Sequence, residues 1–285
     1  MRTIILNSSN YVSGTYNTFT YTLPISTKFN DGDTVGIASI AIYNSTFNIT
    51  SARGNNTIQI IWNAPNPVTS VTYTLTFPDG YYSVSDINYF IQSFCIDQKL
   101  YMTDTNGDYV YFVELVTNAP RYSVQLNCYA LPTSAQATTL GYSIPSGATW
   151  TAPATASTPQ LVISNSFSSL IGFATGTFPS SIQTTTQTSL SSTVPVISPI
   201  DSYNVTCNLI NSPLSTPNNI LFSLPLTVGL GSLITLSPAQ IVFNNIASNV
   251  YNQITIKFYD QLFNELKLND FQVTVTLAIK EISEV

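Results

Sequence analysis

The chain contains no histidine. Imidazole is the commonest general base and the commonest metal ligand, so Ser-His-Asp and Cys-His catalysis and histidine-based metal sites are excluded. Charge is scarce as well. Lys, Arg, Asp and Glu make up 8% of the 285 residues, against roughly 25% in an average soluble domain. The eight cations, Arg2, Lys28, Arg53, Lys99, Arg121, Lys257, Lys267 and Lys280, are scattered, and the net charge is −6. Neutralising phosphates takes clustered Lys and Arg, so no direct nucleic-acid binding is expected. Cysteine is limited to Cys95, Cys128 and Cys207. They lie far apart, lack metal spacing and are odd in number, which reads as three buried thiols. Met1–Asn7 carries too short an apolar run for a signal peptide, and no stretch approaches a membrane helix, so no membrane insertion is expected. The sequons at Asn7, Asn44, Asn48, Asn55 and Asn204 read as by-products of composition.

What is abundant is neutral polarity. Thr, Ser and Asn together supply about a third of the residues, beside 44% hydrophobic ones. That hydrophobic content argues against disorder. Between Arg121 and Lys257 the only charged residue is Asp201. Sparse charge leaves little repulsion when copies crowd together.

Period-two alternation of β-branched and aromatic residues dominates and predicts strands. Phe19, Tyr21 and Leu23 alternate. In Thr34–Tyr43, Val35 and Ile37 are in one phase and Ile40 and Ile42 in the other, which predicts a bulge or a bend. Further strands are expected at Ile58–Trp62, Val71–Phe77, Tyr109–Val116, Tyr122–Leu131, Tyr203–Leu209, Ile220–Leu224, Ile241–Phe243, Ile254–Phe258 and Phe271–Ile279. One segment departs from this. Ile87, Phe90, Ile91 and Phe94 follow helical spacing, with Ser83 or Ser85 able to cap and Asp86 in the first turn, so a single helix is expected over 83–96. The stretches 132–159 and 176–199 are rich in Ser, Thr, Ala, Gly and Pro and read as long loops. Deleting 134–156 should then cost little.

The outer segments hold about eight strands, the count of a jelly roll of two packed antiparallel sheets. The fold class is all-β: a single jelly roll with a β-rich insertion and one short helix. The expected domains are 1–80 with 200–285 for the jelly roll and 81–199 for the insertion.

Acidic residues are the only candidates for chemistry. Asp104-Thr-Asn-Gly-Asp108 partly matches a calcium loop, but Glu114 comes too early to close it, and Asn106-Gly107 favours a hairpin turn. Asp31-Gly-Asp33 reads as a turn. Gly229-Leu-Gly231 lacks the following glycine and helix of a phosphate loop. No carboxylate pair is marked as a glycosidase would need. Catalytic, cofactor-binding and metal-binding residues are none, and no cofactor is expected.

Several segments resemble the penton proteins of virophages and Polinton-like viruses. They are Ile5–Asn10 with Phe19–Pro24, Gly32–Tyr43, Phe77–Asn88, Leu170–Pro179, Val205–Asn218, and Ile254–Gln261 with Phe271–Ile279. Their order along the chain carries the likeness, and 132–160 lies outside it. The resemblance implies a non-enzymatic structural protein. Its expected form is a homopentamer that plugs the vertex of an icosahedral virion beside the major capsid protein, with assembly in the host cytoplasm and a host surface receptor as a further partner. Two other readings stand beside it. One is a carbohydrate- or receptor-binding β-sandwich of fibre-head or lectin type, which the many Tyr and Phe would suit. The other, carrying less weight, is a glycoside-processing enzyme.

Overall fold

A computed structural model of the chain describes residues 1–64 and 70–282. It divides into two compact units, residues 1–46 with 200–285 and residues 47–199.

The first unit contains eight main strands: β1 (Arg2–Asn7), β2 (Thr18–Phe29), β3 (Thr34–Tyr43), β4 (Ser202–Cys207), β5 (Ile220–Pro225), β6 (Leu233–Leu236), β7 (Asn249–Tyr259) and β8 (Val273–Lys280). One sheet runs β1-β8-β3-β6 and the other β5-β4-β7-β2, all antiparallel. The pairs β1–β8, β2–β7, β3–β6 and β4–β5 are nested, as though one long hairpin had been wrapped on itself. That is a jelly roll. Its core joins both sheets: Leu6, Ile37, Ile40, Val275 and Leu277 from one, Phe19, Val205, Ile254, Ile256 and Phe258 from the other.

The phase change in β3 has its physical origin in the register. Ser39 faces Thr276, but Ile37 faces Leu277, so Ala38 is an extra residue opposite none. The bulge turns the strand by one side chain. Val35, Ile37, Ile40 and Ile42 are consequently all buried, which a regular strand would forbid.

Ile241–Phe243, expected as a strand, is not one. Only Asn244 and Asn245 pair with β3, opposite Val35 and Thr34. The preceding residues pass over Gly36, where a Cβ would stand 2.5 Å from the Val242 carbonyl oxygen. Phe243 sits under the Lys280 ammonium, 4.3 Å from the ring centroid. The apolar run is therefore used to cover part of the β3–β8 face rather than to extend a sheet.

The second unit begins earlier than expected, at residue 47 and not 81. Strand Thr57–Trp62 pairs with Val71–Thr76 on one side and Gln160–Ile163 on the other, and Gly176–Phe178 follows. Ile58, Ile60, Trp62 and Leu75 lie in this unit's core with Ile87, Ile91, Leu161 and Phe167. Alternation marked these residues as strands, but partner choice decided which core they fill. A second sheet has the order Gln187–Leu190, Ser123–Cys128, Val113–Asn118.

Helix α1 spans Val84–Asp97. The Ser83 hydroxyl accepts from the Asp86 N–H, and the Asp86 carboxylate accepts from the Ser83 N–H, a capping box. The Leu115 N–H donates to Asn88 Oδ1 at 2.8 Å and ties the helix to strand Val113–Asn118. Phe90 packs on Phe77 with ring centroids 4.4 Å apart.

The stretch 132–159 is more ordered than a loop. Helix α2 (Ser134–Leu140) has a capping box between Thr133 and Gln136 and ends at Gly141, whose φ of 72° suits glycine. Beyond it, Trp150 is buried, donates its indole N–H to the Lys99 carbonyl at 2.7 Å and meets Trp62 edge-on at 5.2 Å. A third short helix, α3, spans Asn165–Ile171. Short helices of neutral residues have no strong apolar period, so the sequence pattern passes over them.

Candidate functional site

Several carboxylates are spent on turns. Asp104 Oδ1 accepts from the N–H groups of Asn106 and Asp108, both at 2.9 Å, closing the hairpin between Met102–Thr103 and Tyr109–Val110. Asp33 is buried, and its two oxygens accept from the N–H groups of Asn30 and Ile282. Asp260 accepts from the N–H groups of Leu262 and Asn264 and from the Asn264 amide. Asp270 accepts from the Gln272 N–H. Glu281 pairs with Arg2 at 3.1 Å. Acids used in this way orient backbone and are ill placed to shuttle protons.

Glu114 differs, because it accepts from two side chains. Its Oε2 accepts from Asn127 Nδ2 at 3.0 Å and from the Tyr129 hydroxyl at 2.7 Å. Asn127 Oδ1 in turn accepts from Gln125 and Thr188. Burial, together with the hydrogen bond to Glu114, pushes the Tyr129 phenol up to about 12. This row of amides and hydroxyls crosses all three strands of the second sheet and holds them in register. It pairs Glu114 with no second carboxylate.

All three cysteines are free and buried. Burial pushes each thiol up to about 12. The thiolate is the reactive species, so these thiols are inert at neutral pH. Among the described residues no three His, Cys, Asp or Glu side chains gather as a metal site would need, and no helix is long and apolar enough to cross a membrane. Four of the five sequon asparagines use their side-chain nitrogens inside the fold: Asn44 toward Val228, Asn48 toward Tyr82 and Ile197, Asn55 toward Asn48, Asn204 toward Asp260.

What remains is surface. In the first unit Leu214 and Leu262 stand at loop tips, 95% and 75% exposed, and Ile5, Ile25, Val242 and Val250 are exposed on the flanks. In the second unit an apolar hollow of about 420 Å³ is lined by Val84, Ala119, Tyr122, Val194, Pro195 and Ile197. A second hollow of about 620 Å³ is lined by Ala130, Pro132, Gln136, Leu140 and Thr184–Thr186. Neutral hydroxyls and scattered aliphatic tips suit contacts between proteins better than they suit catalysis.

No protein-family model matches the chain, and no curated protein matches it. Two solved structures are similar over its length. One is the crystal structure of the mavirus penton protein, with 11% identity and a TM-score of 0.44, covering 99% of this chain and 100% of that one. The other is the cryo-electron microscopy structure of the Sputnik virophage, with 11% identity and a TM-score of 0.39, covering 99% of this chain and 98% of that one.

Proposed function

We propose that the chain is a structural capsid protein whose five copies form the vertex of an icosahedral virion. The observation that carries the reading is the nested eight-strand jelly roll interrupted between β3 and β4 by a second compact unit. The ordered motifs that resemble virophage and Polinton-like penton proteins support it from the sequence side. Fold alone does not assign function, but two further features agree. Asp33, Asp104, Asp260 and Asp270 hold turns, which suits a structural role. Charge is sparse enough for crowding, since five copies carry 5 × −6 = −30 formal charges on chains that are 8% charged.

A ring needs a heterologous contact, one face of a copy against a different face of the next, closing after five. A contact built from Ser, Thr, Asn and Tyr rests on packing and neutral hydrogen bonds, so added salt should weaken it little. The finer partners belong to the same proposal. They are the major capsid protein of the same virion, a host surface receptor, and assembly in the host cytoplasm before incorporation into the particle.

The test is mass by light scattering at high protein concentration, alone and with the major capsid protein, together with electron microscopy of the product. Five-fold rings or five-fold vertices are expected. A stable dimer or trimer in both conditions overturns the reading.

A further inference from the structure

Tyrosines gather at one place in the second unit. Tyr101 and Tyr109 have ring centroids 4.8 Å apart, and Tyr109 and Tyr111 are 6.3 Å apart, both pairs near edge-on. Tyr89, on α1, is 72% exposed and Tyr109 is 50% exposed. Burial raises the Tyr111 phenol, and so do the neighbouring Cys95 thiol and the hydroxyls of Tyr109, Tyr101 and Tyr89. Among the described residues none of these four hydroxyls has a hydrogen-bond partner, whereas the hydroxyls of Tyr82, Tyr129, Tyr203 and Tyr251 are all bonded within the fold. Tyr89 and Tyr109 thus offer ring surface and unbonded phenols outward, while Tyr101 and Tyr111 are half-buried. The adjoining hairpin tip, Thr105–Asp108, is exposed and adds hydroxyl, amide and carboxylate groups.

Charge narrows what could bind. The hairpin that carries Tyr109 bears Asp104 and Asp108 and no cation. The cation closest in sequence, Lys99, donates its ammonium to the Ser146 carbonyl at 2.8 Å. Anionic ligands would meet carboxylates here without a free positive partner. A ligand with apolar C–H faces, many neutral hydroxyls and no negative charge matches all three features. Such faces pack on aromatic rings while the hydroxyls take up phenol, amide and carboxylate partners, and tyrosine supplies this contact at low entropic cost.

We infer that the cluster Tyr101, Tyr109 and Tyr111 is a binding site for neutral carbohydrate. The inference is independent of the vertex reading and would hold for a monomer. The experiment uses the full chain on an array of neutral, sialylated and sulfated glycans, with the best neutral hits followed by titration calorimetry. Neutral hexose or N-acetylhexosamine glycans are expected to bind. Tyr109→Ala and Tyr101→Ala should each weaken them by about tenfold or more, Tyr109→Phe by less, and Tyr16→Ala, an exposed tyrosine outside the cluster, not at all. Unchanged melting curves identify variants that remain folded. No neutral glycan bound down to millimolar affinity overturns the inference. So does binding unaffected by Tyr109→Ala, a preference for sialylated or sulfated glycans, or a cluster protected only by a protein partner.

Discussion

The two units solve the same problem with different materials. The jelly roll is discontinuous, and its pairs β1–β8 and β2–β7 join residues from opposite ends of the chain. Its core is made by alternation on long strands. The second unit is one continuous stretch, with short sheets around α1 and a core rich in rings, including Trp62, Phe77, Trp150 and Phe167. Its ends meet, because the Asn48 amide donates to the Ile197 carbonyl at 2.9 Å. The first unit's chain breaks also lie close together, since the Tyr203 hydroxyl donates to Asn44 Oδ1 at 3.2 Å. A long insertion is thus accommodated where both units keep their entry and exit adjacent. Loop length at such a site costs little, and packing within each unit costs much.

Both tryptophans belong to the second unit, so their fluorescence reports that unit alone and makes the comparison measurable. The largest effect should come from Val275→Asp, which buries an unpaired charge in the jelly-roll core and should unfold that unit outright. Circular dichroism should lose the β signal of the first unit while tryptophan emission stays native. Simultaneous loss of both signals would show one cooperative body.

Trp150→Ala should cost the second unit about 3–5 kcal/mol, from the lost ring contacts and the cavity, and move only the fluorescence transition in urea. The same residue reverses the expectation that deleting 134–156 is harmless. That deletion removes α2 and Trp150 together and should destabilise at least as much.

Gly36→Ala should cost the first unit about 1–3 kcal/mol, because the new methyl meets the Val242 backbone. It should leave tryptophan emission untouched. An unchanged midpoint would mean that the covering segment moves away freely.

Alkali should separate the units by slope. Each thiol has an ordinary value of 9.0 and is raised to about 12 in the fold. The folded chain therefore holds more protons between those values. The stability is intact below pH 9 and is lost as pH rises toward 12, by about 1.4 kcal/mol per pH unit for each thiol. Two of the thiols, Cys95 and Cys128, lie in the second unit and one, Cys207, in the first. The thiol contribution to the decline should be about twice as steep for the second unit. Between pH 5 and 8 neither unit should change much, since no histidine titrates there. Substituting Cys95 with Ser should flatten the second unit's alkaline decline, and an unaltered decline would assign it to other groups.

The smallest effect is expected for Ser83→Ala. Loss of the cap on α1 should cost about 1 kcal/mol and appear only in the second unit's thermal midpoint.

The amino-acid pattern by itself determined the all-β class, the first unit's strands β2, β3, β4, β5, β7 and β8, the helix α1, and the hairpin at Asp104–Asp108, while β1 and β6 went unmarked and the cap was left between Ser83 and Ser85. It even carried the bulge, because a phase change from Ile37 to Ile40 on a buried strand has few other solutions. These are local features, set by the geometry of neighbouring residues. Tertiary structure alone decided that Thr57–Trp62 and Val71–Thr76 belong to the second core, that Ile241–Phe243 covers a sheet instead of joining one, and that 132–159 is anchored through Trp150. It also decided which tyrosine hydroxyls are bonded within the fold and which are left unbonded in the cluster around Tyr109. The physical reason is the same in each case. An apolar or aromatic side chain will leave water for any surface that fits, and only the assembled chain specifies which surface is there.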